Sequence, residues 1–131
     1  VVAWDASCAT VATRSHLASG NPLRRAGRLS ALCLCEYGAQ AMAVHGALVA
    51  RAEGRSLAPG LLVSLREVEL AVDRVENLPG ELLATAWRLT GGHGGLQYRF
   101  EVSHRGRRLA GGRAAVIESR SRATGTGPPG P

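Results

Sequence analysis

The sequence contains no lysine; all 16 of its basic residues are arginine, and against ten acidic residues they give a net charge of +6. Exclusive arginine can follow from codon usage as readily as from function; the functional reading is attraction of an acidic partner by the summed positive field. Aromatic residues are only 4% of the chain and are not interleaved with the arginine clusters. The stacking platform of a single-strand nucleic-acid binder is therefore missing, and no nucleic-acid partner is expected. A membrane span is missing too, because Glu36, Gln40 and His45 interrupt the best apolar stretch well short of the roughly 18 to 20 residues required. A soluble, cytoplasmic protein with no membrane partner is the expectation.

Cysteine is scarce and odd in number. Cys33 and Cys35 stand two apart in an apolar run, with Cys8 alone. That spacing fits neither a disulfide framework nor a Cys-x-x-Cys metal site, so buried, reduced thiols are expected. The four histidines, His16, His45, His93 and His104, fall in four different elements without ligand spacing, and no metal is expected. "TGGHGG" (90–95) lies between two strand patterns, whereas a phosphate-cradling loop leads from a strand into a helix; it reads as a hairpin connection. "VVAWD" lacks a methionine, a basic start and a long apolar segment, so the chain is expected to begin inside a longer sequence.

With 131 residues, 45% of them hydrophobic, the chain can bury the core of one domain. Residues 1–13 alternate Val2, Trp4, Ala6 and Cys8 with more polar positions and predict a strand. Residues 14–28 are rich in turn formers and predict an ordered loop, long enough to be functional. From Leu29 to about Glu53 nothing stops a helix, and Gly54 with Arg51 before it is a C-terminal signal. This helix is apolar nearly all round, which predicts that other structure wraps it.

The wrapper is predicted in the second half. "LQYRFEVS" alternates strictly, with Leu96, Tyr98, Phe100 and Val102 on the core side. "ELLATAWRL" puts Leu83, Thr85, Trp87 and Leu89 on one face, "RRLAGGRAAVIES" gives a later strand, and "SHRGRR" gives a hairpin. In "LLVSLREVELAV" the apolar phase slips by one near Arg66 and Glu67, as a β-bulge would cause. The expected architecture is α+β, an antiparallel sheet around one long central helix, as a single domain over 1–118. Residues 119–131 are expected to be a mobile tail.

A lone carboxylate in "LCLCEYGAQAMAVHG" raises the question of chemistry. On a helix Glu36 and Gln40 share a face, and His45, nine residues on, points the other way. Glu36 is either a surface or ion-paired residue on a helix that only looks buried, or a carboxyl kept in an apolar site because the site uses it, for example as a general acid.

"CEYGAQAMAVHG" resembles the E-x-x-A-Q central-helix motif of hot-dog-fold 3-hydroxyacyl-acyl-carrier-protein dehydratases. With the preceding "SH…NPL…GRL.AL" it is most similar to the dehydratase-like proteins of aryl-polyene biosynthesis, over roughly Trp4 to Ile117. The resemblance implies a hot-dog fold and removal of water from a 3-hydroxyacyl thioester to give a trans-2-enoyl thioester, without a cofactor. It makes Glu36 the catalytic carboxylate and sets Gln40, Leu32 and Cys33 around the substrate. The family's histidine lies in a G-H-F-P motif that this sequence lacks; His16, 20 positions before Glu36, is the only histidine in the corresponding loop. It is either the base that takes the α-proton or a solvated loop residue.

Backbone N–H groups at Leu29 to Leu32 are the expected donors to the thioester oxygen. Arg24, Arg25 and Arg28 are candidates to meet an acyl carrier protein and its phosphopantetheine arm, against a plain reading as solvated loop arginines. The implied assembly is a homodimer, or a heterodimer with another hot-dog subunit. The missing motif keeps two other readings open: a non-catalytic hot-dog subunit that binds acyl chains or supports an active partner, and a thioesterase on the same fold.

Overall fold

The structure, a computed structural model, describes residues 1–54, 60–89 and 96–118, with only the backbone of 60–63, 96 and 116–118. The expected tail from Ser119 and the expected hairpin at 90–95 lie outside the described residues. Two short strands, β1 (Ala3–Trp4) and β2 (Cys8–Thr13), precede helix α1 (Cys33–Ala52). Four longer strands follow it: β3 (Gly60–Leu70), β4 (Leu82–Leu89), β5 (Leu96–His104) and β6 (Arg107–Glu118). They form one six-stranded sheet in the order β1-β2-β4-β5-β6-β3, with every neighbouring pair antiparallel. One helix on one face of such a sheet is the hot-dog arrangement.

Alternation places the core. Tyr98, Phe100 and Val102 of β5 are buried against the helix side, as their spacing predicts, and each such side chain contributes about 1.5–3 kcal/mol by leaving water. In β4 the buried face is Leu82, Ala84 and Ala86, so the face carrying Leu83, Thr85 and Trp87 is the outer one. There Trp87 lies under the guanidinium of Arg99, 4.2 Å from the ring centroid. Small residues let the helix sit close: a Cβ on Gly38 would overlap the Phe100 ring, and one on Gly112 would stand 3.1 Å from the other side of that ring.

The predicted bulge is present. Arg66 pairs with Arg113 and Glu69 with Gly111, so β3 carries an extra residue there, and Glu67 takes the left-handed conformation (φ 56°) that such an insertion demands. A second shift lies between Leu62 and Ser64. The β5–β6 hairpin turns on Arg105 and Gly106, both at positive φ (50° and 82°), matching the two-residue turns that suit the twist of a hairpin.

Three expectations need correction. The N-terminal strand is broken at Asp5–Ser7, where Asp5 Oδ1 accepts hydrogen bonds from the Ser7 N–H (2.8 Å) and hydroxyl (2.9 Å); a side chain satisfies the backbone and folds the strand into the β1–β2 hairpin. The helix begins at Cys33, because residues 29–31 pair with an extended segment: Val75 N–H donates to the Leu29 carbonyl and Ala31 N–H to that of Asp73. Among the described residues the helix is also covered on one side only. Leu32, Glu36, Gln40, Ala43 and Ala47 form an exposed stripe within the single chain.

Candidate functional site

Helix α1 presents Glu36 and Gln40 on this exposed stripe, with Tyr37, Gly38, Ala41, Met42 and His45 on the buried side. Of the two readings of Glu36, the single chain shows the first, a surface residue on a helix that only looks buried. Glu36 lines an open pocket of about 350 Å³, with Leu23, Ser30, Leu32, Cys33, Cys35, Ala39 and Leu65. The pocket brings together three of the expected site residues, Glu36, Leu32 and Cys33. Gln40 is one turn further along the same face and is not among its lining residues.

Cys33 and Cys35 of this pocket, and Cys8 on β2 away from it, are protonated thiols. Burial pushes Cys33 up to about 11, and burial likewise raises Cys35 and Cys8 above the ordinary thiol value. Cys33 is buried, while Cys8 and Cys35 are half-buried rather than buried: Cys8 pairs with Trp87 on the outer face of the sheet, and Cys35 lines the open pocket. All three are free.

His16 is neither in that pocket nor solvated. It forms part of a one-turn 3₁₀ segment, Ser15–Leu17, and is completely buried. Its Nε2 lies 2.7 Å from the carbonyl of Leu78; a carbonyl can only accept, so Nε2 carries the proton. Nδ1 is the one buried side-chain nitrogen or oxygen among the described residues without a hydrogen-bond partner. Desolvation holds the imidazole below its ordinary pKa, outweighing the opposing Leu78 hydrogen bond, with nearby His104, Arg24 and Arg14 acting in the same sense as burial. A neutral ring with an unpaired Nδ1 lone pair results.

The backbone donors expected at Leu29 to Leu32 are largely taken. Leu29 N–H donates to Glu76 Oε1 (2.7 Å), Ala31 N–H to Asp73, and Leu32 N–H to the Ser30 hydroxyl (3.2 Å). The cause is the pairing of 29–31 with 73–75, which sequence periodicity could not show because neither segment is a strand by pattern. Glu76 was missed for the same reason. The Leu29 N–H, and to a lesser extent Arg74 (Nε–Oε2 3.2 Å), hold its carboxyl below the usual range.

Arg24 also differs from expectation. Its Nε, Nη1 and Nη2 donate to the carbonyls of Ala18 (2.8 Å), Gly27 (3.1 Å) and His16 (2.9 Å), so it fastens its own loop and is not free for a carrier. Arg25 and Arg28 instead line a second pocket of about 280 Å³ with Arg74, Asp73, Leu23 and Ser30, the last two shared with the Glu36 pocket.

Buried His45 was set aside in the sequence as facing away from Glu36, and it has a structural partner set. Nε2 donates to the Asp5 carbonyl (3.1 Å), Nδ1 meets the Tyr98 hydroxyl (2.8 Å), and the two rings stand edge to face at 82°. No group of three or more metal-ligating side chains occurs among the described residues, and none of the described helices is long and apolar enough to cross a membrane.

Comparison with known proteins gives the same fold. A family model described as ApeP-like, ApeP dehydratase, matches residues 1–125. The chain superposes on the dehydratase heterocomplex ApeI:P of Xenorhabdus doucetiae with a TM-score of 0.75 at 19% identity, covering 86% of this chain and 75% of that one. A candidate esterase of Mycobacterium tuberculosis gives 0.55 at 17% identity, with coverage of 86% and 84%. A candidate thioesterase of Syntrophus aciditrophicus gives 0.53 at 18%, with coverage of 89% and 80%. No curated protein matches the sequence.

Proposed function

The chain belongs to the ApeP-like dehydratase family, and from that premise we propose that it is a dehydratase subunit acting on a 3-hydroxyacyl thioester carried by an acyl carrier protein. The observation that carries the reading is the placement of Glu36, a lone carboxylate among Leu23, Leu32, Cys33, Cys35, Ala39 and Leu65 in an open pocket. Such walls suit an acyl chain, and a carboxyl there can hand a proton to a departing hydroxyl. The base removes the α-proton, the C–O bond to the 3-hydroxyl breaks, the double bond forms, and Glu36 supplies the proton that leaves as water. His16 is the base this chain offers, through Nδ1. Gln40, on the same helix face, would hold the substrate beside Leu32 and Cys33, and Arg25 and Arg28 would meet the carrier's acidic surface and phosphopantetheine.

A second subunit completes the site. β3 is a sheet edge whose Leu65, Val68 and Leu70 are exposed, and Leu32 on the helix stripe is 65% exposed; together they make an apolar face of the kind that pairs with another sheet. A structural relative is described as a heterocomplex, which supports a second hot-dog subunit as the partner here.

One observation favours the rival reading, a supporting subunit without its own turnover: His16 does not line the pocket that holds Glu36. Assay of the purified protein with 3-hydroxyacyl thioesters, alone and mixed with a second hot-dog subunit, separates them. Turnover that Glu36→Gln abolishes, by this chain alone or in the mixture, favours the enzyme. Turnover only in the mixture, unaffected by Glu36→Gln, favours the supporting role.

A further inference from the structure

The loop between β2 and α1 holds a buried histidine in one orientation, and an arginine with no place in the substrate pocket is what fastens that loop. Three carbonyls, of His16, Ala18 and Gly27, converge on the guanidinium of Arg24 at 2.9, 2.8 and 3.1 Å. Five planar N–H donors in a rigid fork can satisfy three carbonyls in different directions, which an ammonium group cannot do with the same geometry. The contacts join the 3₁₀ turn carrying His16 to Gly27, two residues before Leu29, where the chain pairs with Val75 and enters the helix.

The same loop is anchored at three more points. Asn21 donates from Nδ2 to the Ser15 carbonyl (2.8 Å), its Oδ1 accepts from Leu23 N–H (2.8 Å), and the Ser15 hydroxyl donates to that of Tyr37 on α1 (2.9 Å). Within this frame His16 meets the Leu78 carbonyl with Nε2. We infer that Arg24 is a positioning residue: by clamping the His16, Ala18 and Gly27 carbonyls it fixes the His16 backbone so that Nε2–H stays on Leu78 and Nδ1 keeps its unpaired lone pair.

The tautomer is a property of the unliganded protein; only its use as a base rests on the proposed function. Charged or titratable groups bearing on His16 come from its own loop, Arg14 and Arg24, and from the end of β5, His104, whose Nε2 donates to the adjacent carbonyl of Pro79 (2.7 Å). Loss of the Arg24 charge alone would ease protonation of His16. Loss of the clamp would instead free the ring to exchange partners. Arg24→Lys keeps the charge and removes the fork, so it separates the two effects.

The test is nitrogen NMR of the full-length, ligand-free protein labelled at histidine, with His16 assigned by its disappearance in His16→Gln. In the wild type, His16 gives one tautomer, protonated at Nε2. Arg24→Lys and Arg24→Gln shift its two nitrogen signals toward a tautomer average and speed Nε2–H exchange, while His45, held by Tyr98 and Asp5, is unchanged. In the enzyme assay, kcat falls roughly 10–10²-fold in Arg24→Lys with KM within about twofold.

An Nδ1-protonated wild type, or His16 signals unchanged in Arg24→Lys, overturns the inference whatever the activity. A shifted tautomer in a protein that proves inactive in every combination supports the positioning role and removes only the proposed reaction.

Discussion

Gly38 of the helix lies directly against the ring of Phe100 in the sheet, so closely that a β-carbon on Gly38 would overlap the ring. Helix propensity alone would favour alanine by about 1 kcal/mol at such an interior position. Here that gain is set against the overlap with the ring, which is itself fully buried in the core. Gly38→Ala should therefore destabilise, by about 1–3 kcal/mol as in other overpacked cores. Urea denaturation checks it, and a raised midpoint would show that helix and sheet can move apart freely.

The His45–Tyr98 pair gives a second expectation. Removing the hydroxyl in Tyr98→Phe leaves His45 Nδ1 buried with no partner, a loss of about 1–3 kcal/mol. His45→Gln, which retains a donor and an acceptor, should lose less if its amide reaches both Tyr98 and Asp5. Equal stability of wild type and Tyr98→Phe by denaturant midpoint would remove the hydrogen bond from the account of the core.

Acid sensitivity should trace to His16. Its folded pKa lies below the unfolded value of 6.5, so the unfolded chain binds the proton first. The stability attached to the neutral ring is present above pH 6.5 and is lost as pH falls from there toward the depressed folded value. Asp5 and Glu76, with lowered carboxyl values, act in a more acidic window, below their ordinary values of 3.8 and 4.5. Denaturant midpoints between pH 8 and 5 should decline for the wild type and decline less for His16→Gln. Parallel curves would contradict the assignment.

The thiols offer a simpler check. Three free cysteines should all be recovered from freshly unfolded, unreduced protein, and in the folded state Cys33, raised to about 11, should react slowest with a disulfide reagent at pH 8. Fast modification of Cys33 in the native state would contradict its burial.

Much of this fold was legible because alternation and burial coincide. Tyr98, Phe100 and Val102 announce the central strand, and the phase slip at Arg66 and Glu67 announces the bulge. The helix was legible as a helix, but its environment was not: Leu32, Ala43 and Ala47 look like core in a sequence and lie on an open face in one chain. Apolar patterning does not tell a face packed within its own chain from one left open in it. Glu36 was singled out by its motif, and the fold sets it in the wall of an open pocket. Glu76, Arg24 and the Leu29 N–H were not, because their roles depend on one irregular segment meeting another, which has no period. Proximity of His16 to Glu36 depends likewise on how loops and subunits pack.

The central claim is that Glu36 delivers a proton to the leaving hydroxyl. Its most direct test is the rate of enoyl-thioester formation from a 3-hydroxyacyl thioester by the wild type and by Glu36→Gln, each in the same subunit assembly. Because Glu36 is exposed in the single chain, the exchange should leave folding intact. The account predicts a rate lower by roughly 10²–10⁴-fold with unchanged assembly. Turnover retained in Glu36→Gln, or no turnover by the wild type in any assembly, would contradict it.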